Sequence, residues 1–144
     1  MNSLITCTRR LHFSAGHRVM NHESKCSTAH GHNYYVRITA TASSLDEIGR
    51  VIDFGVLKEK VGGWIDTNWD HTFLVNRHDT DVLAALLSMP RAKDPFVCDF
   101  NPTAEEMAHF LLDEVCPDAL QGTGVTVTKV SVEETSNCIA EASR

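Results

Sequence analysis

The chain has no CxxC pair, no apolar stretch long enough to cross a bilayer and no surplus of positive charge. Its five cysteines are odd in number and widely spaced, which argues against a disulfide framework. Cys7, Cys98, Cys116 and Cys138 read instead as small buried apolar residues. A helical span needs about 20 consecutive apolar residues; none exists, so no membrane partner is expected. Thirteen Lys and Arg stand against nineteen Asp and Glu, a formal net charge of −6. That excludes the broad basic footprint of a nucleic-acid binder, although a local cluster such as Arg9, Arg10, Arg18 and Lys25 can still meet a small anion. Repeats, low-complexity tracts and linkers are missing as well. Residues 1–7 carry no basic segment followed by an apolar one, so no secretory signal is expected and the cytoplasm is the expected compartment. What remains is an ordinary globular composition, 42% hydrophobic and 22% charged over 144 residues, read as a single domain spanning 1–144.

Against this background the histidines stand out. His17 closes the run Leu11-His12-Phe13-Ser14-Ala15-Gly16-His17, and His30-Gly31-His32 follows a short stretch carrying Cys26. Leu11, Phe13, Ala15 and His17 share odd parity. His30, His32, Tyr34, Val36, Ile38, Ala40 and Ala42 share even parity. Such alternation predicts two half-buried strands over 5–17 and 30–42. If they pair antiparallel, residues 18–29 connect them. The three imidazoles then converge at one end of the hairpin, with Cys26 in the loop above. One such histidine is most simply a core or loop residue. Three with matched parity form the donor set of a Zn²⁺ site whose fourth position is open to water or substrate, the pattern of a catalytic centre. A thiol nearby is a candidate base, because a neighbouring cation lowers its pKa from about 8.5.

Leu57, Val61, Trp64 and Ile65 recur at helical spacing, although Gly62-Gly63 weakens that helix. Arg50–Phe54 reads as short and extended, and 81–89 as a helical piece. A stronger helix opens at Thr103, where Thr103-Ala104-Glu105-Glu106 fits a capping box; Met107, Phe110, Leu111 and Val115 form its apolar stripe, and Pro117 is expected to stop it. In 125–135 the valines are odd at 125 and 127 but even at 130 and 132, which predicts a β-bulge near Thr128 and Lys129. Beyond the switch, Glu134 shares the apolar parity, either as a rim residue or as a ligand anchor. A short strand at 137–142 completes an α+β chain with an antiparallel sheet.

These residues resemble the 6-pyruvoyltetrahydropterin and 6-carboxytetrahydropterin synthase family over nearly the whole chain. The resemblance lies in His12–His17, Lys25-Cys26, His30–Tyr34, Val51–Phe54 with Leu57-Lys58, Asp70-His71, Asn101–Thr103 with Glu105, and Glu134-Thr135 with Asn137, in the family's order. It implies a tunnelling fold: a four-stranded antiparallel sheet with two helices on one face, oligomerising into a β-barrel as a homotrimer or homohexamer with active sites between subunits. It implies zinc held by His17, His30 and His32, catalysis by Cys26, Asp70 and His71, and substrate binding by Glu134, Thr103 and Lys25. Three residues separate Cys26 from His30, which is similar to the bacterial 6-carboxytetrahydropterin synthases of the queuosine pathway. The implied substrate is 7,8-dihydroneopterin triphosphate; the implied products are 6-carboxy-5,6,7,8-tetrahydropterin, acetaldehyde and triphosphate. A pyruvoyl synthase that only eliminates triphosphate, and a non-enzymatic zinc- or pterin-binding module, are the alternatives. The chain departs from the family at Trp69, where leucine usually precedes Asp-His, and in a longer segment between about 77 and 100.

Overall fold

The computed structural model describes residues 3–144. Strand β1 (Cys7–His17) and strand β2 (His30–Ala42) form the expected hairpin, pairing antiparallel from Cys7 opposite Ala40 to His17 opposite His30. Their alternation holds: Leu11, Phe13, Ala15 and His17 on β1 and Tyr34, Val36, Ile38 and Ala40 on β2 are buried, or nearly so, on one face. Helix α1 (54–68) follows, opened by Asp53, whose carboxylate accepts from Gly55 N at 2.8 Å. Arg50–Phe54 is therefore not extended: Val51 and Ile52 lie in a bend, and Asp53 is the cap. The glycine pair does not break α1. A Cβ on Gly62 would stand 3.2 Å from Leu11 Cδ2, so glycine lets the helix lie close on β1. A wide turn over Lys58–Gly62 absorbs the local irregularity.

Strand β3 (Thr72–Asn76), helix α2 (Thr80–Ser88) and strand β4 (Phe96–Cys98) come next. Helix α3 (104–119) is capped by Thr103, whose hydroxyl accepts from Glu106 N at 3.1 Å. The reciprocal half of the box is replaced, because Thr103 N donates to Asn101 O. Strands β5 (Val125–Thr135) and β6 (Cys138–Ser143) close the chain. Thr39 pairs with Lys129 and Ala40 with Val127, so Thr128 is the extra residue of the anticipated bulge.

Further expectations are corrected. The sheet is six-stranded and mixed, in the order β4-β3-β1-β2-β5-β6, not four-stranded and antiparallel. Within the chain it is an open sheet with β4 and β6 at its edges, not a barrel. β3 runs parallel to β1, and β4 parallel to β3, with α2 as the crossover that parallel strands require. Among the described residues three helices are present rather than two. α1 and α3 bury Leu57, Val61, Ile65, Met107, Leu111 and Leu112 against the apolar face of the sheet, whereas α2 buries no side chain fully. Finally, α3 runs through Pro117 to Ala119. The wide turn over Leu111–Val115 has already shifted the backbone ladder there, so the missing proline N–H interrupts little. No helix among the described residues is long and apolar enough to cross a membrane.

Candidate metal centre

The hairpin register builds the site. His17 faces His30 across the strands, and His32, two residues on, faces Ala15. Pleating sends all three rings to the core side, at the end where α3 begins. The Nε2 atoms of His17 and His30 lie 3.2 Å apart. One donor nitrogen from each of the three histidines lies within 4.8 Å of the others. The backbone sets the rings. His17 Nδ1 donates to Pro102 O at 2.7 Å, and His30 Nδ1 donates to Thr28 O at 2.6 Å. With Nδ1 carrying the proton, each Nε2 turns a lone pair inward. His32 Nε2 is buried without a hydrogen-bond partner.

Electrostatics point the same way. Burial, reinforced by the neighbouring histidines, pushes the His17 pKa down despite the opposing pull of the Pro102 carbonyl and Glu134. Burial lowers His32 as well, with Glu134 opposing and His30 assisting. Neutral imidazoles with converging lone pairs are the form that binds a metal.

Glu134 reaches the same point. Its Oε1 lies 3.5 Å from His17 Nε2 and 3.6 Å from His32 Nε2. Donors about 2.0–2.1 Å from a tetrahedral zinc are separated by about 3.3–3.4 Å. The 3.2 Å between the His17 and His30 nitrogens is close to such an edge, and Glu134 stands beside the cluster. The residues therefore fit a small divalent cation. The sequence pattern left Glu134 open between rim and anchor; its carboxylate is directed at the histidines. The Tyr34 hydroxyl is also buried without a partner, and burial together with the Glu134 charge pushes its pKa up, so it stays a neutral phenol.

Cys26 sits half-buried in a short helical turn, Lys25–Ser27, within the loop joining β1 to β2. Lys25 is exposed beside it. Asn101 fastens the near end of this loop: its side chain accepts from Met20 N at 2.9 Å and donates to Met20 O at 3.0 Å. Thr103 spends its hydroxyl on capping α3, next to the Pro102 carbonyl that holds His17.

Asp70 and His71 form a pair, but elsewhere. His71 Nδ1 lies 2.9 Å from Asp70 Oδ2, while Asp70 Oδ1 accepts from Ser14 N at 3.0 Å. Burial pushes the Asp70 pKa up, yet the Ser14 amide and His71 outweigh it and hold the carboxyl below its usual value. His71 has a left-handed backbone, φ 55°, uncommon for a residue with a side chain, and its own N–H donates to Ser14 O at 2.7 Å. Its side chain is 78% exposed. It lines an open cleft of about 600 Å³ with Ser14, Gly16, Gly31 and Asn33. Ser14, Gly16, Gly31 and Asn33 alternate with the buried positions of the hairpin, and Ala15, His32 and Thr72 also line the cleft. No hydrogen bond joins Cys26 to Asp70 or His71 among the described residues. The structure thus gathers His17, His30, His32 and Glu134, and ties Asp70-His71 to the Ser14 backbone.

A sequence model of the family described as 6-pyruvoyl tetrahydropterin synthase matches residues 6–144. The chain belongs to this family. It is 38% identical over 138 residues to the 6-carboxy-5,6,7,8-tetrahydropterin synthase of Rickettsia bellii, an alignment covering 96% of this chain and 99% of that one. Its fold is similar to that of an uncharacterized Wolinella succinogenes protein, with a TM-score of 0.84 at 22% identity over 99% of both chains. It also resembles Caenorhabditis elegans 6-pyruvoyl tetrahydropterin synthase, with a TM-score of 0.69 at 23% identity, covering 99% of this chain and 96% of that one. Within this family member, sequence reading missed the parts contributed by the backbone. The Pro102 and Thr28 carbonyls that orient two histidines leave no side-chain signal. Lys93, in the long 77–100 segment, donates to the Asp66 and Asp70 carbonyls at 2.7 and 2.6 Å. It braces the end of α1 where Asp70-His71 emerges.

Proposed function

We propose that the chain is a zinc-dependent 6-carboxy-5,6,7,8-tetrahydropterin synthase. It would take 7,8-dihydroneopterin triphosphate and one water to 6-carboxy-5,6,7,8-tetrahydropterin, acetaldehyde and triphosphate, a lyase reaction supplying a 7-deazapurine pathway such as queuosine synthesis in the cytoplasm. The observation that carries this reading is the inward convergence of three histidines and Glu134, in a chain 38% identical to a relative of that name.

His17, His30 and His32 hold the zinc. When bound, the metal supplies Lewis acidity that makes the hydroxyls and carbon-bound protons of the substrate side chain more acidic. Cys26 is the base that moves a proton at the side-chain carbons, and Lys25 binds the substrate beside it. Glu134 accepts two hydrogen bonds from the 2-amino-4-oxopyrimidine edge of the pterin, as a carboxylate does from a guanidinium. Thr103 meets the substrate near the start of α3. Asp70 orients His71, which serves as the second proton-transfer group. No hydrogen bond joins Asp70-His71 to Cys26 among the described residues, which supports a triad completed when a second copy brings its pair to Cys26. The active form, as the family resemblance implies, is a homotrimer or homohexamer, with no nucleic-acid or membrane partner.

Incubation with 7,8-dihydroneopterin triphosphate, with products identified by mass, tests the reading. Release of acetaldehyde with the carboxy product is expected. A pyruvoyl product without acetaldehyde would move the chain to the other branch of its family, and zinc binding without turnover would make it a binding module.

A further inference from the structure

Asp79 is an unusual cap. It occupies the N-cap position of α2, and its carbonyl accepts from Leu83 N at 3.0 Å as a cap carbonyl does. Its carboxylate, however, makes no bond to the first-turn amides of its own helix, the ordinary reason for aspartate at this position. It turns inward instead. The residue is 5% exposed, and Oδ2 lies 2.6 Å from Arg18 Nη1. The pair lacks an aligned hydrogen bond at Oδ2, so charge rather than direction holds it.

Arg18 passes the restraint on. It directly follows the metal-site histidine His17, and its Nε donates to Ser27 O at 2.8 Å. Ser27 is the neighbour of Cys26 in the turn Lys25–Ser27. Val19 N donates to Cys26 O at 3.3 Å, closing the base of the same loop. A guanidinium has a rigid fork that can serve a carbonyl and a carboxylate together. The loop is thus pinned on one side by Arg18 and on the other by Asn101, and Arg18 is itself pinned by a buried carboxylate from the 77–100 segment.

We infer that Arg18 and Asp79 are positioning residues for the Cys26 thiol, and that the long 77–100 segment serves to present the Asp79 carboxylate to the thiol-bearing loop. This rests on the reading of Cys26 as the reacting thiol. Neither residue touches the substrate. Both act through the Ser27 carbonyl on where the Cys26 side chain stands relative to the metal centre.

Asp79→Ser separates this role from a merely structural one. Serine is a good helix cap, so α2 keeps its start while the tie to Arg18 is cut. In the zinc-loaded, full-length protein the zinc content should stay at the wild-type value, while the melting temperature falls because Arg18 loses its partner. Amide exchange at residues 25–28 should accelerate at least tenfold, and kcat should fall at least tenfold with KM changed less than threefold. Arg18→Gln should give the same pattern, and the double variant should be no worse than either single one, because both changes cut the same tie. Wild-type exchange at 25–28 in Asp79→Ser overturns the inference, as do losses that multiply in the double variant. Cys26→Ala separates the two readings. If it keeps full turnover, the thiol's catalytic role fails, whatever exchange shows. If it is inactive while Asp79→Ser has wild-type kcat and exchange, the tether fails and the thiol's role stands.

Discussion

Trp69 offers a test of how the core carries the Asp70-His71 turn. It is fully buried and immediately precedes Asp70. Its ring centroid lies 5.4 Å from Trp64, 5.7 Å from Phe13, 6.0 Å from Phe96 and 6.1 Å from Phe110. It therefore joins α1, β1, β4 and α3. Its indole Nε1 is buried without a partner. Replacing it with leucine, the residue the wider family usually carries there, has two opposing effects. Loss of about 60 Å³ of side chain leaves a cavity worth about 1.5 kcal/mol, and the lost apolar burial adds about 1.5–2 kcal/mol. Removing the unpaired N–H returns about 1–2 kcal/mol. The net expectation for Trp69→Leu is a loss of about 2 kcal/mol. With an unfolding entropy of about 2.1 cal/mol/K per residue, a chain of 144 residues should melt about 6–7 °C lower. Trp69→Phe keeps a ring and discards the N–H, so it should melt between the leucine variant and wild type or above. Calorimetry at pH 7 on all three proteins measures this. A leucine variant within 1 °C of wild type, or a phenylalanine variant melting below it, refutes the reasoning.

Other expectations follow from the site. His17→Ala, His30→Ala or His32→Ala should each lower zinc affinity at least tenfold and abolish turnover; full zinc by metal analysis in all three would remove the ligand assignment. Burial pushes Cys98 and Cys116 up to about 12, so brief alkylation of the folded protein at pH 8 should spare both, as peptide mapping would show. Asp70 has a depressed folded pKa, so its contribution to stability is present above its unfolded pKa and lost as pH falls through the folded value. Asp70→Asn should accordingly be less stable than wild type at pH 7, the gap narrowing below about pH 4 in urea melts. Mixed oligomers of Cys26→Ala and His71→Ala chains should regain part of the activity that each lacks alone; a fully active monomer by sedimentation would end the shared-site proposal.

The histidine cluster was legible because strand alternation is a two-residue period, and His17, His30 and His32 share parity with the apolar residues beside them. The same period exposed the extra residue at Thr128. β3 and β4 were not legible, because five and three residues are too few for a period to show, and parallel pairing is invisible to local patterning. The passage of α3 through Pro117 depended on a wide turn that no propensity announces.

The linear order of residues by itself determined which side chains face the core, and hence that three imidazoles and a carboxylate share one face of one sheet. Only the tertiary structure decided what surrounds them. It set Pro102 and Thr28 carbonyls behind two of the rings, Asp79 behind Arg18, and Asp70-His71 against the Ser14 backbone. Parity is a local consequence of the pleat, whereas these contacts join residues up to 85 positions apart. They depend on how strands and helices separated in the chain are brought together by burial of the apolar core.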